Sequence, residues 1–150
     1  MGAMLLLLTT VAAVPPFDQL AGLDQQIEAV DQQIDQARAR SLSAQLKELR
    51  QRRDLLQRAR GRAITIIGAR YDQCLAHLQR SRAGAANESS DARAEQIRRA
   101  QCAAAGREVV TKVLRIEELK QQLHDTQWTY GTLERKRELE REIQRLEESL

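Results

Sequence analysis

With 3% aromatic and 30% charged residues among 150, the chain has room for one domain but builds a thin apolar seam better than a globular core around a deep pocket. Its formal charge of +3 is small, so the distribution of charge says more than the sum. Glycine is sparse at 7 residues and proline stands only at Pro15 and Pro16. From Phe17 onward nothing forbids helix, and the abundance of Ala, Leu, Gln, Arg and Glu predicts an all-α protein.

The run MGAMLLLLTTVAAV has signal-peptide length and is too short to span a bilayer as a helix. Val11 and Ala13 suit cleavage after Ala13, with Pro15 and Pro16 opening the mature chain. A positive leader is missing, so residues 1–13 read as a signal peptide or as an uncleaved N-terminal anchor that brings the chain near a membrane.

A first helical arm is expected over 14–83. Leu20, Leu23, Ile27, Val30, Ile34 and Ala37 follow at alternating intervals of 3 and 4, the spacing by which a helix buries one narrow stripe. After a phase slip the stripe resumes through Leu42, Leu46, Leu49, Leu56, Ile67 and Cys74. The β-branched run Ile64–Ile67 has no strand partner elsewhere and stays helical. Charge is segregated along this arm. Asp18, Asp24, Glu28, Asp31 and Asp35 precede any basic residue, and ten basic residues then stand between Arg38 and Arg70 against only Glu48 and Asp54. Such a basic stripe is ordinarily a solvated helix face; its functional alternatives are an anionic lipid surface or a nucleic-acid surface, the latter requiring a cytosolic chain.

Residues 84–90 form the expected hairpin loop, where Gly84 ends one helix and Ser90 or Asp91 caps the next. The second arm, 91–150, carries a stripe from Cys102 through Val109, Ile116, Leu119, Leu123 and Tyr130 to Leu133, then shifts phase to Leu139, Ile143 and Leu146. If the two arms lie antiparallel, facing residues have a constant number sum. Cys74 with Cys102, Ile67 with Val109, and Val30 with Leu146 all give 176. The expected fold is therefore a long antiparallel helical hairpin, an intramolecular coiled coil, with a Cys74–Cys102 disulfide near its tip. Two helices make a marginal core, and dimerisation would relieve the shortage.

Both phase slips, at 37–42 and 133–139, fall opposite one another and mark a joint. Trp128 and Tyr130 either fill a wide place in the seam there or are presented to a partner, with Arg38 and Arg40 favouring an acidic one. The tip arginines Arg80, Arg82, Arg93, Arg98 and Arg99 are the other candidate contact. Cys74, His77 and Cys102 fall short of the four ligands of a closed zinc site, and a two-helix rod offers no pocket for Cys–His catalysis. No enzyme activity, metal or cofactor is expected.

These features predict a non-enzymatic, exported, extracytoplasmic coiled-coil protein, periplasmic in a bacterium, that acts as a spacer or scaffold for protein partners in an envelope-associated assembly. The disulfide and the export signal support each other, because such bonds persist in oxidising compartments. Two free thiols in a cytosolic coiled coil are the alternative. A holdase-type chaperone is the second function, and cytosolic nucleic-acid binding the third.

Overall fold

The computed structural model describes residues 16–82, 92–126 and 128–150. The expected signal segment at 1–13 and the hairpin loop at 84–90 lie outside the described residues. All regular structure within them is helical. A 3₁₀ turn at Phe17–Leu20 leads into α1 (Ala21–Ala39), followed by α2 (Ser43–Arg82), α3 (Ala92–Ala104), α4 (Val109–Asp125), a second 3₁₀ turn at Tyr130–Thr132, and α5 (Leu133–Glu148).

The 40 residues of α2 form a spine of roughly 60 Å. α3 and α4 return along it in the opposite sense. Cys74 is bonded to Cys102, Ile67 packs against Gly106, and Arg58 pairs with Glu117, so partner numbers rise as those on α2 fall. These pairs stay close to the expected sum of 176. The return strand of the pair is broken once, by a turn at 105–108 closed by bonds from Ala105, Arg107 and Val109 to carbonyls three residues back. Gly106 sits in that turn close against the spine: a Cβ there would lie 3.2 Å from Ile67 Cγ1, a tighter contact than ordinary packing.

The expected continuous first arm is corrected at its base. The chain does not run straight through 37–42; it reverses there, and α1 folds back along α2. Leu42 N–H donates to the Ala37 carbonyl (3.0 Å) and Ser41 N–H to that of Arg38 (3.1 Å), while Ser41 takes the left-handed conformation at φ 56°. This is the Schellman stop, which satisfies the last carbonyls of a helix. Charge marks the register of the reversal. Asp24 accepts from Arg60 and Asp31 from Arg53, and both pairs sum to 84, which centres the turn on position 42. The acidic segment is short of cations and the basic one short of anions, and folding back neutralises both.

The second arm reverses likewise. After 126–132, α5 folds back along α4 with Leu139 buried. Arg115 donates to Glu142 (3.0 Å), while Glu147 receives Lys120 (2.9 Å) from α4 and Arg62 (3.3 Å) from α2. Arg70 ties both ends together by donating to the backbone oxygens of Ala105 and Leu150. The interhelical ion pairs of Asp24 and Asp31 therefore run to α2, not across to α5 as the pairing of Val30 with Leu146 required.

These two reversals thicken the lower half into a bundle whose core joins Leu20, Leu23, Val30 and Ile34 to Leu56, Ala59, Ala63 and Ile67 of α2 and Val109 and Val113 of α4. Ala59 and Ala63 are fully buried. One helical turn apart, their small side chains let neighbouring helices approach the spine closely.

Candidate interaction surfaces

The disulfide brings together the one pair of site residues that were expected to touch. Their Cα atoms are 5.5 Å apart, inside the range a crosslink needs, and Cys102 is 1% exposed. Beneath it, the start of the described chain closes over the α2–α3 groove: Phe17 lies 3.9 Å from the position a Cβ on Gly68 would take, and Gln19 Nε2 donates to the Ala103 carbonyl (2.6 Å).

The tip arginines do not form one cluster of available charge. Arg80 donates to the Ala76 carbonyl of its own helix. Arg98 and Arg99 both turn to Glu95, at 2.8 and 3.1 Å, and their guanidinium groups, Arg98 first, hold the Glu95 carboxyl below its ordinary range. Arg82 ends α2 and Arg93 lies in the first turn of α3. Between these charges Ile97 is 52% exposed.

The joint residues are placed at the end of the bundle where both reversals lie. Glu48 of α2 and Thr126 beyond α4 line one groove there, so the turn before Ser43 and the turn after Asp125 share that end. Trp128 bends back to donate its indole N–H to the Leu123 carbonyl (3.0 Å), which satisfies one of the orphan groups at the end of α4. Thr129 and Thr132 cap the start of the next helical segment reciprocally. Tyr130 departs from the expected seam. It is 95% exposed, because the register shared with α2 ends when the chain turns away after Asp125. Leu42 at 43% and Leu133 at 39% stand exposed at the same end. Arg38 reaches Asp35 only at 3.8 Å. Beside these, Gln121 and then His124 hydrogen-bond Asp125 and hold its carboxyl below the ordinary range.

Six of the ten basic residues between Arg38 and Arg70 bridge to other elements while their side chains stay partly exposed. Arg52, Arg53, Arg58, Arg60 and Arg62 each meet a carboxylate of another helix, and Arg70 meets backbone oxygens. The pairing of this partly solvated face with the acidic segment was not anticipated, though its signal was present: Asp24 and Asp31 are seven residues apart, as are Arg53 and Arg60. Glu117, which receives Arg58, is buried. Among the described residues no group of three or more His, Cys, Asp or Glu side chains is placed to hold a metal ion, and no helix is long and apolar enough to cross a membrane. No protein-family model, curated protein or solved structure matches this chain.

Proposed function

We propose that this protein is a non-enzymatic, exported structural adaptor, a spacer or scaffold in an envelope-associated assembly. The observation that carries this reading is the 40-residue spine clamped at one end by helices folded back on it and braced near the other by a disulfide. A rod bundled along its lower part and crosslinked further up separates two contacts by a set distance. The braced α2/α3–α4 hairpin is the part that reaches out, with protein partners at the tip arginines or at the turn end beside Trp128. A second copy packing along the thin upper half would supply the core it lacks. The crosslink also supports an extracytoplasmic, oxidising location. Nucleic-acid binding is the weaker reading, because the arginines it needs are engaged with carboxylates.

The test is photo-crosslinking in the native host from probes placed at Ile97 and at Tyr130, run beside a refolding assay. One recurrent crosslinked protein, with no suppression of client aggregation, is the expected result. Broad crosslinking with suppressed aggregation would instead establish the holdase.

A further inference from the structure

The turn end of the bundle exposes an apolar set to which the adaptor reading gives only a protein partner of unstated chemistry. Leu42 projects from the first reversal and Tyr130 and Leu133 from the second, with Trp128 half-buried beside them. They sit on the two turns where the chain reverses. A specific protein interface needs about 800 Å² per partner and a complementary surface around its anchors. A bilayer interface needs neither: a few protruding Leu and aromatic side chains enter the headgroup region, and flanking cations meet lipid phosphates. The cations are present. Arg40 stands at the first reversal and Arg137 in the second turn of α5, and neither is held by a carboxylate among the described residues, whereas Arg135 and Lys136 are occupied by Glu138 and Glu140.

We propose that this end docks on the surface of an anionic phospholipid bilayer, with Leu42, Tyr130 and Leu133 entering the headgroup region and Arg40 and Arg137 against lipid phosphates. The spine then stands away from the membrane and presents the disulfide-braced tip. This deepens the adaptor reading: with the turn end on lipid, the protein partner falls to the tip, where a probe at Ile97 and not one at Tyr130 captures it. Vesicle binding measures it with no protein partner present, so either idea can fail alone.

The full, disulfide-intact chain carries its own reporter, because Trp128 is the only tryptophan. Mixed with vesicles of phosphatidylcholine and phosphatidylglycerol in equal parts, the protein is expected to co-sediment, and Trp128 emission to shift to the blue. Pure phosphatidylcholine vesicles and high salt should weaken both signals. Arg40→Ala combined with Arg137→Ala should weaken binding about thirtyfold. Leu42→Ser with Leu133→Ser should abolish the blue shift, while melting curves and vesicle-free emission stay as in the parent. Co-sedimentation without a blue shift, or untouched by both variant pairs, would assign binding to the apolar segment before Pro16 and overturn the proposal. So would binding to soluble polyglutamate but not to vesicles, which would identify an acidic protein as the occupant. Absence of any binding would overturn it as well.

Discussion

The two halves of the spine are held by different physics. Between Leu55 and Ile67, α2 is flanked by α1, α4 and the end of α5, and five of its side chains, Leu55, Leu56, Ala59, Ala63 and Ile67, are buried. Beyond the crosslink, from Leu75 to Ser81 on α2 and from Ala92 to Gln101 on α3, no described side chain is buried. The lower half is stabilised by removing apolar area from water. The upper half has two helices and one covalent bond. On α2 burial is thus concentrated in the middle stretch, since residues 43–54 also bury no side chain of their own, and the far end depends on a constraint that acts mainly on the unfolded chain.

The largest expected break in this contrast is at Leu56, fully buried where helices meet the spine. Leu56→Ala should cost about 3 to 5 kcal/mol, combining lost transfer energy with a cavity that small neighbours such as Ala59 cannot fill. Calorimetry should show the whole molecule melting at lower temperature, the disulfide-linked region included. A loss under about 1 kcal/mol would mean the bundle is looser than its burial indicates.

Removing the crosslink, by Cys74→Ser with Cys102→Ser, should cost about 3 to 4 kcal/mol on the chain-entropy model for a loop of 28 residues. Its signature differs from that of Leu56→Ala. Hydrogen exchange should quicken first in α3 and in α2 beyond Cys74, while amides around Ala59 and Ala63 keep their protection. Equal loss of protection at both ends would show that the tip is not a separate unit.

How far the sequence foretold this architecture differs between the same two halves. The disulfide-braced pairing was readable because Cys74 and Cys102 flank a turn-rich loop symmetrically, and because the stripes through Ile67 and Val109 share one register. The base was misread for a local reason. Helices that end in a left-handed residue usually show glycine there, and position 41 is a serine, so a reversal looked like a phase slip in a continuous helix. The seam through Tyr130 and Leu133 was extrapolated past a turn because α4 stops at an extended Thr126 with no glycine or proline in the next four residues to mark it. Ala59 and Ala63 were also overlooked, since alanine reads as a helix former before it reads as core. What remained available was charge, and the matched seven-residue spacings of Asp24 with Asp31 and Arg53 with Arg60 were the trace of the fold-back.

That misreading is itself testable. Ser41 bears a Cβ in a conformation that disfavours one, so Ser41→Gly should stabilise the protein by about 0.5 to 1 kcal/mol, read as a small rise in Tm. Glycine also adds entropy to the unfolded chain, which limits the gain. A fall in Tm would mean that position 41 is not left-handed in solution and that the first reversal is differently built.

The smallest effect concerns the clasp between α5 and the rest of the bundle. Lys120, and to a lesser degree Arg62, hold the Glu147 carboxyl below its ordinary value of 4.5. A carboxylate depressed in the folded state contributes stability that is present above that ordinary value and is lost as pH falls through the lower folded one. Acidification below about pH 4.5 should therefore loosen the C-terminal part of α5 before it affects the core of the spine, and Glu147→Gln should flatten that part of the pH profile. The pair with Lys120 is well solvated, so the loss at neutral pH is small and shrinks with added salt. Exchange protection near Leu139, read against that near Ala63 across the same acid range, separates the two outcomes. If both decline together, α5 belongs to the cooperative base; if Leu139 yields first, the covering of α4 is an independently opening layer, and the thick half of the molecule is itself graded in stability.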